Sequence, residues 1–431
     1  MSYVIIGNSI AGIASIEAIR EYDNKSKITI ISDEPYLNYS RPLISYLLGK
    51  KIDKERVIYR EKDFYKNNKV QLILNKKAVK LDLKEGQERK VILSDRGEFT
   101  FDKLLIATGG VPIVPRIKGL ELNGIFTFTK LRDVERIEEF IKVNKVKNSL
   151  VLGGGLIGLK ATEALMELGI SVTIVELADR ILSSTFDRNA SRMVKKALKE
   201  EGCSLITNDT VATIEAEDKK IKSAVLKSGR RVRTDLIILA IGVKPNIQLV
   251  KDTPIKINRG ILVDKFMQTN VPNIYAAGDC CEALDSLLNI NRPIAIWPNA
   301  YRQGKIAGYN MAGVKEEYEG SFPMNSVELC GIPTISVGIT DPGKKGEKGY
   351  EIIDYLNEEK LIYKKLVIKD NRIVGTIFVG DINRAGIYTG LIKDKVNISE
   401  FKERLLEENF GLLSLPKEYR KHLITSEAIA I

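Results

Sequence analysis

Leu150-Val151-Leu152-Gly153-Gly154-Gly155-Leu156-Ile157-Gly158 is an apolar run that breaks at glycine and resumes as an apolar pattern. It reads as a strand, a tight turn and the opening of a helix. Further along, Val172-Thr173-Ile174-Val175 is a second strand, closed by Glu176. This strand–turn–helix–strand unit suits a dinucleotide. Gly153 permits the bend, Gly155 lets a pyrophosphate approach the backbone, and Gly158 lets helix pack on strand. The phosphates then face the free N–H groups where the helix begins, at Leu156 and Ile157. An acid about 20 residues beyond the turn accepts from ribose hydroxyls and repels a 2′-phosphate. Glu176 therefore predicts NAD(H) over NADP(H), and Arg180 shortly after it would soften that choice.

The same plan occurs earlier in the chain. Val4-Ile5-Ile6-Gly7-Asn8-Ser9-Ile10-Ala11-Gly12 leads to a second strand at Ile28-Thr29-Ile30-Ile31. The middle glycine is here Ser9, small enough to keep the close approach, and Asp33 and Glu34 follow Ser32 where a ribose acid is expected. A later segment repeats as well: Phe101-Asp102-Lys103-Leu104-Leu105-Ile106-Ala107-Thr108-Gly109 matches Thr234-Asp235-Leu236-Ile237-Ile238-Leu239-Ala240-Ile241-Gly242. One glycine turn is weak evidence. Two, each in strand context and each with a matching later strand, predict two copies of one nucleotide-binding unit in an α/β chain.

Composition narrows the chemistry. At 431 residues the chain holds two or three domains, and 44% apolar with 29% charged residues is ordinary for a globular protein. The longest apolar runs, such as Leu236 to Val243, fall far short of a membrane span. A strand begins at Tyr3, which leaves no room for a signal peptide and predicts the cytoplasm. Sixty-seven Lys and Arg against 56 Asp and Glu give +11, suited to an acidic partner or an anionic nucleotide. The lysines are scattered, so no nucleic-acid surface is predicted. One histidine, His422, leaves little for metal or triad chemistry. The four cysteines, Cys203, Cys280, Cys281 and Cys330, have no CxxC, zinc or iron-sulfur spacing, so no metal is predicted. Adjacent Cys280 and Cys281 could join only in a strained vicinal disulfide.

A further motif, Ala276-Ala277-Gly278-Asp279, ends a short strand pattern. With the turn at 7–12, Ala107-Thr108-Gly109-Gly110, the turn at 153–158 and Ala240 to Asn246, it completes an ordered set over residues 1 to about 315. In this order and spacing the set resembles the FAD- and NAD(P)H-dependent pyridine nucleotide-disulfide oxidoreductase superfamily. The rest of the chain resembles the C-terminal interface domain of the branch that holds NADH:rubredoxin reductases and the flavin modules of assimilatory nitrite reductases.

The resemblance implies two Rossmann-like dinucleotide-binding domains, for FAD and NAD, plus a C-terminal α/β interface domain. The FAD domain is expected at residues 1–112 and 243–318, the NAD(H) domain at 113–242, and the interface domain at 319–431. Strand patterns at Lys360 to Lys369 and Ile373 to Val379, and a helix at Ser399 to Glu408, are expected in the last. Gly7, Ser9, Ile10, Ala11 and Gly12 would hold the FAD pyrophosphate, Asp33 and Glu34 would lie near the adenosine ribose, and Val79 near the adenine. Arg41 and Pro42 match the segment beside the flavin. Ala107, Thr108, Gly109, Gly242 and Gly278 pass close to the cofactors, and Asp279 would accept from a ribityl hydroxyl. Trp297 and Pro298 open a helix whose N-terminus faces the flavin.

Two departures stand out. The thiol-dependent members carry cysteine near residues 40 to 50, whereas Tyr39-Ser40-Arg41-Pro42-Leu43-Ile44-Ser45-Tyr46-Leu47 has none. The electron-transfer branch pairs a Lys with a Glu beside the flavin, and here those positions are Tyr46 and Lys160. Either the cation has moved from one segment to the other, or Lys160 is a solvent-facing helix residue. Arg41, Tyr46 and Lys160 form the expected catalytic set. Cys280, Cys281 and Cys330 are either packing residues or neighbours of the flavin, the last in a homodimer. Trp297 is a flavin or partner contact or part of the core, Cys203 is core, and His422 sits in an exposed basic tail.

The implied activity is hydride transfer from NADH to FAD, then single electrons to an acidic carrier such as rubredoxin or ferredoxin, or to an iron-sulfur subunit. Alternatives are an NADH oxidase or peroxidase, the reverse reaction toward NAD⁺, and a non-catalytic flavoprotein that responds to NADH.

Overall fold

In the computed structural model, residues 1–84, 86–345, 349–417 and 420 are described. His422 lies outside them. Apolar, β-branched runs form the strands and the glycine turns start the helices. In chain order these are β1 (Ser2–Ile6), α1 (Ile10–Tyr22), β2 (Lys27–Ile31), α2 (Ile44–Leu48), β3 (Val70–Ile73), β4 (Lys103–Ile106), β5 (Ile125–Thr127), α3 (Leu131–Asn144) and β6 (Asn148–Leu152). They continue with α4 (Leu156–Glu167), β7 (Ser171–Val175), α5 (Arg188–Glu200), β8 (Leu236–Leu239), β9 (Ile274–Ala276) and α6 (Trp297–Met311). Last come β10 (Met324–Leu329), β11 (Ile332–Gly338), β12 (Glu351–Asn357), β13 (Ile362–Lys369), β14 (Arg372–Val379) and α7 (Ala385–Lys393). The chain divides into two compact units, Met1–Leu177 with Asn208–Phe322, and Ala178–Thr207 with Pro323 onward.

The first unit holds two parallel sheets. One has the order β9-β4-β1-β2-β3 and the other contains β7-β6-β8-β5. The repeat seen in the sequence recurs bond for bond. Gly7 donates its N–H to Ile31 at 2.9 Å, and Gly153 to Val175 at 2.8 Å. Ala107 donates to Ile6 and Ala240 to Leu152, each at 2.8 Å. Asp102 accepts from the Ser2 amide at 2.7 Å, and Asp235 from the Asn148 amide at 2.9 Å. The aspartates before β4 and β8 thus tie down the starts of β1 and β6.

Gly7 and Gly153 take φ of +122° and +113°, where an L side chain is strained. A β-carbon there would also stand 2.0 Å from the Ala107 oxygen and 2.4 Å from the Ala240 oxygen. Helices α1 and α6 cross closely over the first sheet. Two further short strands, Gly110–Pro112 and Val243–Pro245, pair antiparallel.

In the second unit β10-β11-β14-β13-β12 form one antiparallel sheet. Asp187 caps α5 by accepting from the Ala190 amide at 3.0 Å. The same carboxylate accepts from Tyr363 at 2.6 Å and from buried Lys365 at 2.9 Å. The strands expected at Lys360 to Lys369 and Ile373 to Val379 are β13 and β14. The helix expected at Ser399 to Glu408 does not form. That segment holds a 3-10 turn, Lys402–Arg404, and the helix of this region is α7. So short a charged stretch has little helical stability of its own. It bends instead to bury Phe401 and Leu405, with Phe401 stacked 6.1 Å from Phe410.

Among the described residues no helix is long and apolar enough to cross a membrane. Nor does any group of three or more His, Cys, Asp or Glu among them suit a metal.

Candidate active site

At the first turn, Ser9 stands at the N-cap of α1 with extended backbone, yet no side chain caps the helix. Ile10, Ala11 and Gly12 are buried at this uncapped start. A buried helix start needs partners for its N–H groups, and an anion supplies them. Neighbouring Asn8 is held by Tyr65, whose hydroxyl donates to Asn8 Oδ1 at 2.7 Å.

Glu34 does not stand open beside the turn. It is buried, accepts from Arg41 Nη2 at 2.6 Å and from the Tyr39 hydroxyl at 2.7 Å, and lies 3.6 Å from Lys130 Nζ. Asp33 is half exposed and faces Lys130 at 3.1 Å. Burial pushes the Tyr39 phenol up. Burial alone would pull the Arg41 guanidinium down, but Tyr39 and Glu34 outweigh it and hold it up. Arg41 also donates to the Thr129 carbonyl at 2.9 Å, and Leu131 donates its amide to Tyr39 at 3.1 Å.

Opposite these residues, burial pushes the Asp279 carboxyl up while Arg41 pulls it back. The Gly278 amide beside it donates to Gln303 Oε1 at 2.8 Å, a buried α6 side chain that sequence reasoning missed. Like α1, α6 begins without a side-chain cap. Trp297 at its start is half-buried, edge-on to Tyr59 at 5.6 Å, and Arg60 lies 4.1 Å over that tyrosine. Thr108 Oγ1 donates to Asn246 at 2.7 Å and the Asn246 amide to Gly109 at 2.9 Å, so the motifs at 107–110 and 240–246 meet. Val79 is exposed on the strand Ala78–Asp82.

Cys280 and Cys281 are adjacent but not joined in a disulfide. Cys280 donates to the Ile106 and Ala277 carbonyls, and Cys281 to the Gly278 carbonyl and Gln303, at 3.3–3.4 Å. Burial pushes both thiols up, so neither is a ready thiolate.

At the second turn, α4 also starts without a side-chain cap, and the space beside Gly155 is open. Glu176 Oε2 accepts from the Gly154 amide at 2.6 Å, so the acid sits back against the turn. Gly242 follows β8 with φ +111°. Arg180 belongs to the second unit, where it meets Asp341 at 2.8 Å and Asp179 at 3.0 Å.

Between the two turns, α2 packs on α4. The Ser45 hydroxyl on α2 is buried and, among the described residues, has no hydrogen-bond partner. Tyr46 lies over Lys160 of α4, with Nζ 4.7 Å from the ring centroid, and Lys160 pairs with Glu163.

The paired turns, their uncapped helix starts and the motif order agree with what known proteins show. Residues 1–304 match the family model described as pyridine nucleotide-disulphide oxidoreductase. The chain belongs to that family. Residues 323–396 match the model for the C-terminal domain of rubredoxin NAD+ reductase. The chain is 31% identical over 400 residues to a nitrite reductase [NAD(P)H] of Bacillus subtilis, an alignment that covers 92% of this chain and 48% of that protein. It is 28% identical to a rubredoxin-NAD(+) reductase of Pseudomonas putida, with 91% and 99% covered. Its fold matches the NAD-dependent persulfide reductase from A. fulgidus with a TM-score of 0.85 at 26% identity, covering 93% of this chain and 78% of that one. The chain spans about half the length of the first curated relatives it matches.

FAD and NAD(H) are the family's cofactors. The residues present fit them: two uncapped helix starts for pyrophosphates, the first buried and the second half-buried, and at α2 a buried hydroxyl that has no hydrogen-bond partner among the described residues.

Proposed function

We propose that this chain is a flavoprotein reductase that moves electrons from NADH to a small acidic redox protein of rubredoxin or ferredoxin type, or to an iron-sulfur subunit. Bound FAD would accept a hydride and give up electrons one at a time, chemistry that requires no side-chain nucleophile. The observation that carries the reading is the segment between the two turns. Tyr39 to Leu47 joins the first site to α4 of the second and holds no cysteine, so electrons leave without a thiol relay.

The chain's own residues position and polarise. Ile10 to Gly12 and Leu156 with Ile157 offer backbone N–H groups to two pyrophosphates. Glu176 favours a free 2′-hydroxyl on NADH. Asp279, whose carboxyl is pushed up by burial, would hydrogen-bond a polyol hydroxyl. Arg41, Tyr46 and Lys160 line the reacting region, and the α6 start directs a helix dipole toward it. Gly7, Ser9, Pro42, Ala107 to Gly109, Gly242, Gly278 and Trp297 complete the walls. Glu34 supports Arg41 and Tyr39 from behind, a positioning role.

The pairing of Gly110–Pro112 with Val243–Pro245 supports an FAD domain of 1–112 and 243–318 with the NAD(H) domain, 113–242, inserted. The interface domain is then 319–431. Buried, adjacent Cys280 and Cys281 left as thiols suit a reducing compartment, the cytoplasm. The excess of basic residues favours fast encounter with an acidic carrier.

An anaerobic titration of the FAD-loaded protein tests the first half of this reading. One equivalent of NADH should bleach the flavin absorbance, and NADPH should do so only at higher concentration. An unbleached flavin at excess NADH would overturn it.

A further inference from the structure

Helix α2 is held from two sides. It follows Arg41, whose charge acts on Asp279 at the first site. Its other side lies on α4, the helix of the second turn: a β-carbon at Gly49 would stand 3.3 Å from Ala164 Cα, and Lys51 meets Glu167 at 2.6 Å. The α2–α4 seam is thus common to both dinucleotide sites.

Tyr46, Lys160 and Glu163 fill that seam. The Lys160 and Glu163 side chains are 19% and 14% exposed. Lys160 therefore acts through a medium that screens poorly. Both charges sit on α4 within one helical turn, and the face of Tyr46 covers the ammonium. A neutral ring from α2 thus holds an ion pair made within a single helix.

We infer that Lys160, held by Tyr46 and opposed by Glu163, sets the reduction potential of the flavin bound at the first site. This rests on the proposed function, since it needs FAD there. Reduction by hydride adds negative charge to a flavin, and a nearby fixed cation favours the more negative state. Glu163 cancels part of that effect. The two residues therefore act with opposite sign, which a merely structural ion pair would not do. Tyr46 is a positioning residue that keeps the ammonium on the seam.

The test is the midpoint potential of the FAD-loaded protein, measured anaerobically with a reference dye, for wild type and four variants. Lys160→Met should lower the reduced-to-oxidised ratio at a given potential about tenfold, about 30 mV for a two-electron couple. Glu163→Gln should raise that ratio. Lys160→Arg, which keeps the charge and the ring contact, and Tyr46→Phe, which keeps the ring face, should both stay near wild type. Wild-type potentials for both Lys160→Met and Glu163→Gln, or shifts of the same sign, would overturn the inference and leave the proposed function standing. A wild-type protein that holds no FAD would overturn both.

Discussion

Gly304 on α6 crosses Ala11 on α1 so closely that a β-carbon on Gly304 would stand 2.3 Å from the Ala11 carbonyl oxygen. The uncapped start of α1 is therefore held in place by a helix that arrives almost three hundred residues later in the chain. The obstruction is backbone, which cannot swing aside. Gly304→Val should cost about 1–3 kcal/mol of stability or more and reduce FAD content together. Urea unfolding and the flavin-to-protein absorbance ratio check this. Stability and FAD content both equal to wild type would contradict the crossing.

One turn of α6 also carries Gln303, whose Oε1 receives the Gly278 amide. Gln303→Leu leaves that buried N–H without its acceptor, at a cost of about 1–3 kcal/mol. The β9–α6 junction beside Asp279 should loosen, and FAD should dissociate roughly tenfold more readily. Apoprotein reconstitution followed by flavin fluorescence measures it.

Much of this was legible in the residues, because glycine turns and apolar runs are local signals. The repeat of Val4 to Gly12 in Leu150 to Gly158 became a repeat of hydrogen bonds, down to Ala107 and Ala240. Glu34 shows what local reading does not see. Its place after β2 predicts a residue near the ribose, and its partners Arg41 and Tyr39 are themselves tied to Thr129 and Leu131, far along the chain. No spacing rule announces such contacts. Gln303 was missed for the same reason. Ser399 to Glu408 failed differently: its helical pattern yielded to the packing of Phe401 against Phe410.

Cofactor choice should follow Glu176. Because its carboxylate is fixed by the Gly154 amide, Glu176→Ala removes both the acid and a contact that shapes the turn. The NADH-to-NADPH ratio of kcat/KM should fall about tenfold, equivalent to about 1.4 kcal/mol. Steady-state kinetics with each nucleotide would reveal an unchanged ratio, which would place the ribose elsewhere.

Asp209 gives a pH signature. The Ser228 hydroxyl above all, with the Thr210 and Ser228 amides, holds its carboxyl below the usual range. A depressed folded-state pKa favours the ionised form in the folded chain. Its contribution is therefore present above the unfolded value of about 3.9 and is lost as pH falls through the folded value. Ser228→Ala should lower the urea midpoint at pH 7, with the gap to wild type narrowing below pH 4. A gap that is constant with pH would separate Ser228 from the Asp209 ionisation.

In the proposed reaction electrons enter from NADH and leave to a protein carrier without a thiol. Anaerobic double mixing tests it most directly: the FAD-loaded protein meets NADH, then oxidised rubredoxin or ferredoxin at low salt, or air-saturated buffer. The expected result is rapid bleaching, then recovery far faster with the carrier than with oxygen, and slower as salt is raised. Faster recovery with oxygen than with either carrier would contradict it and make the chain an oxidase.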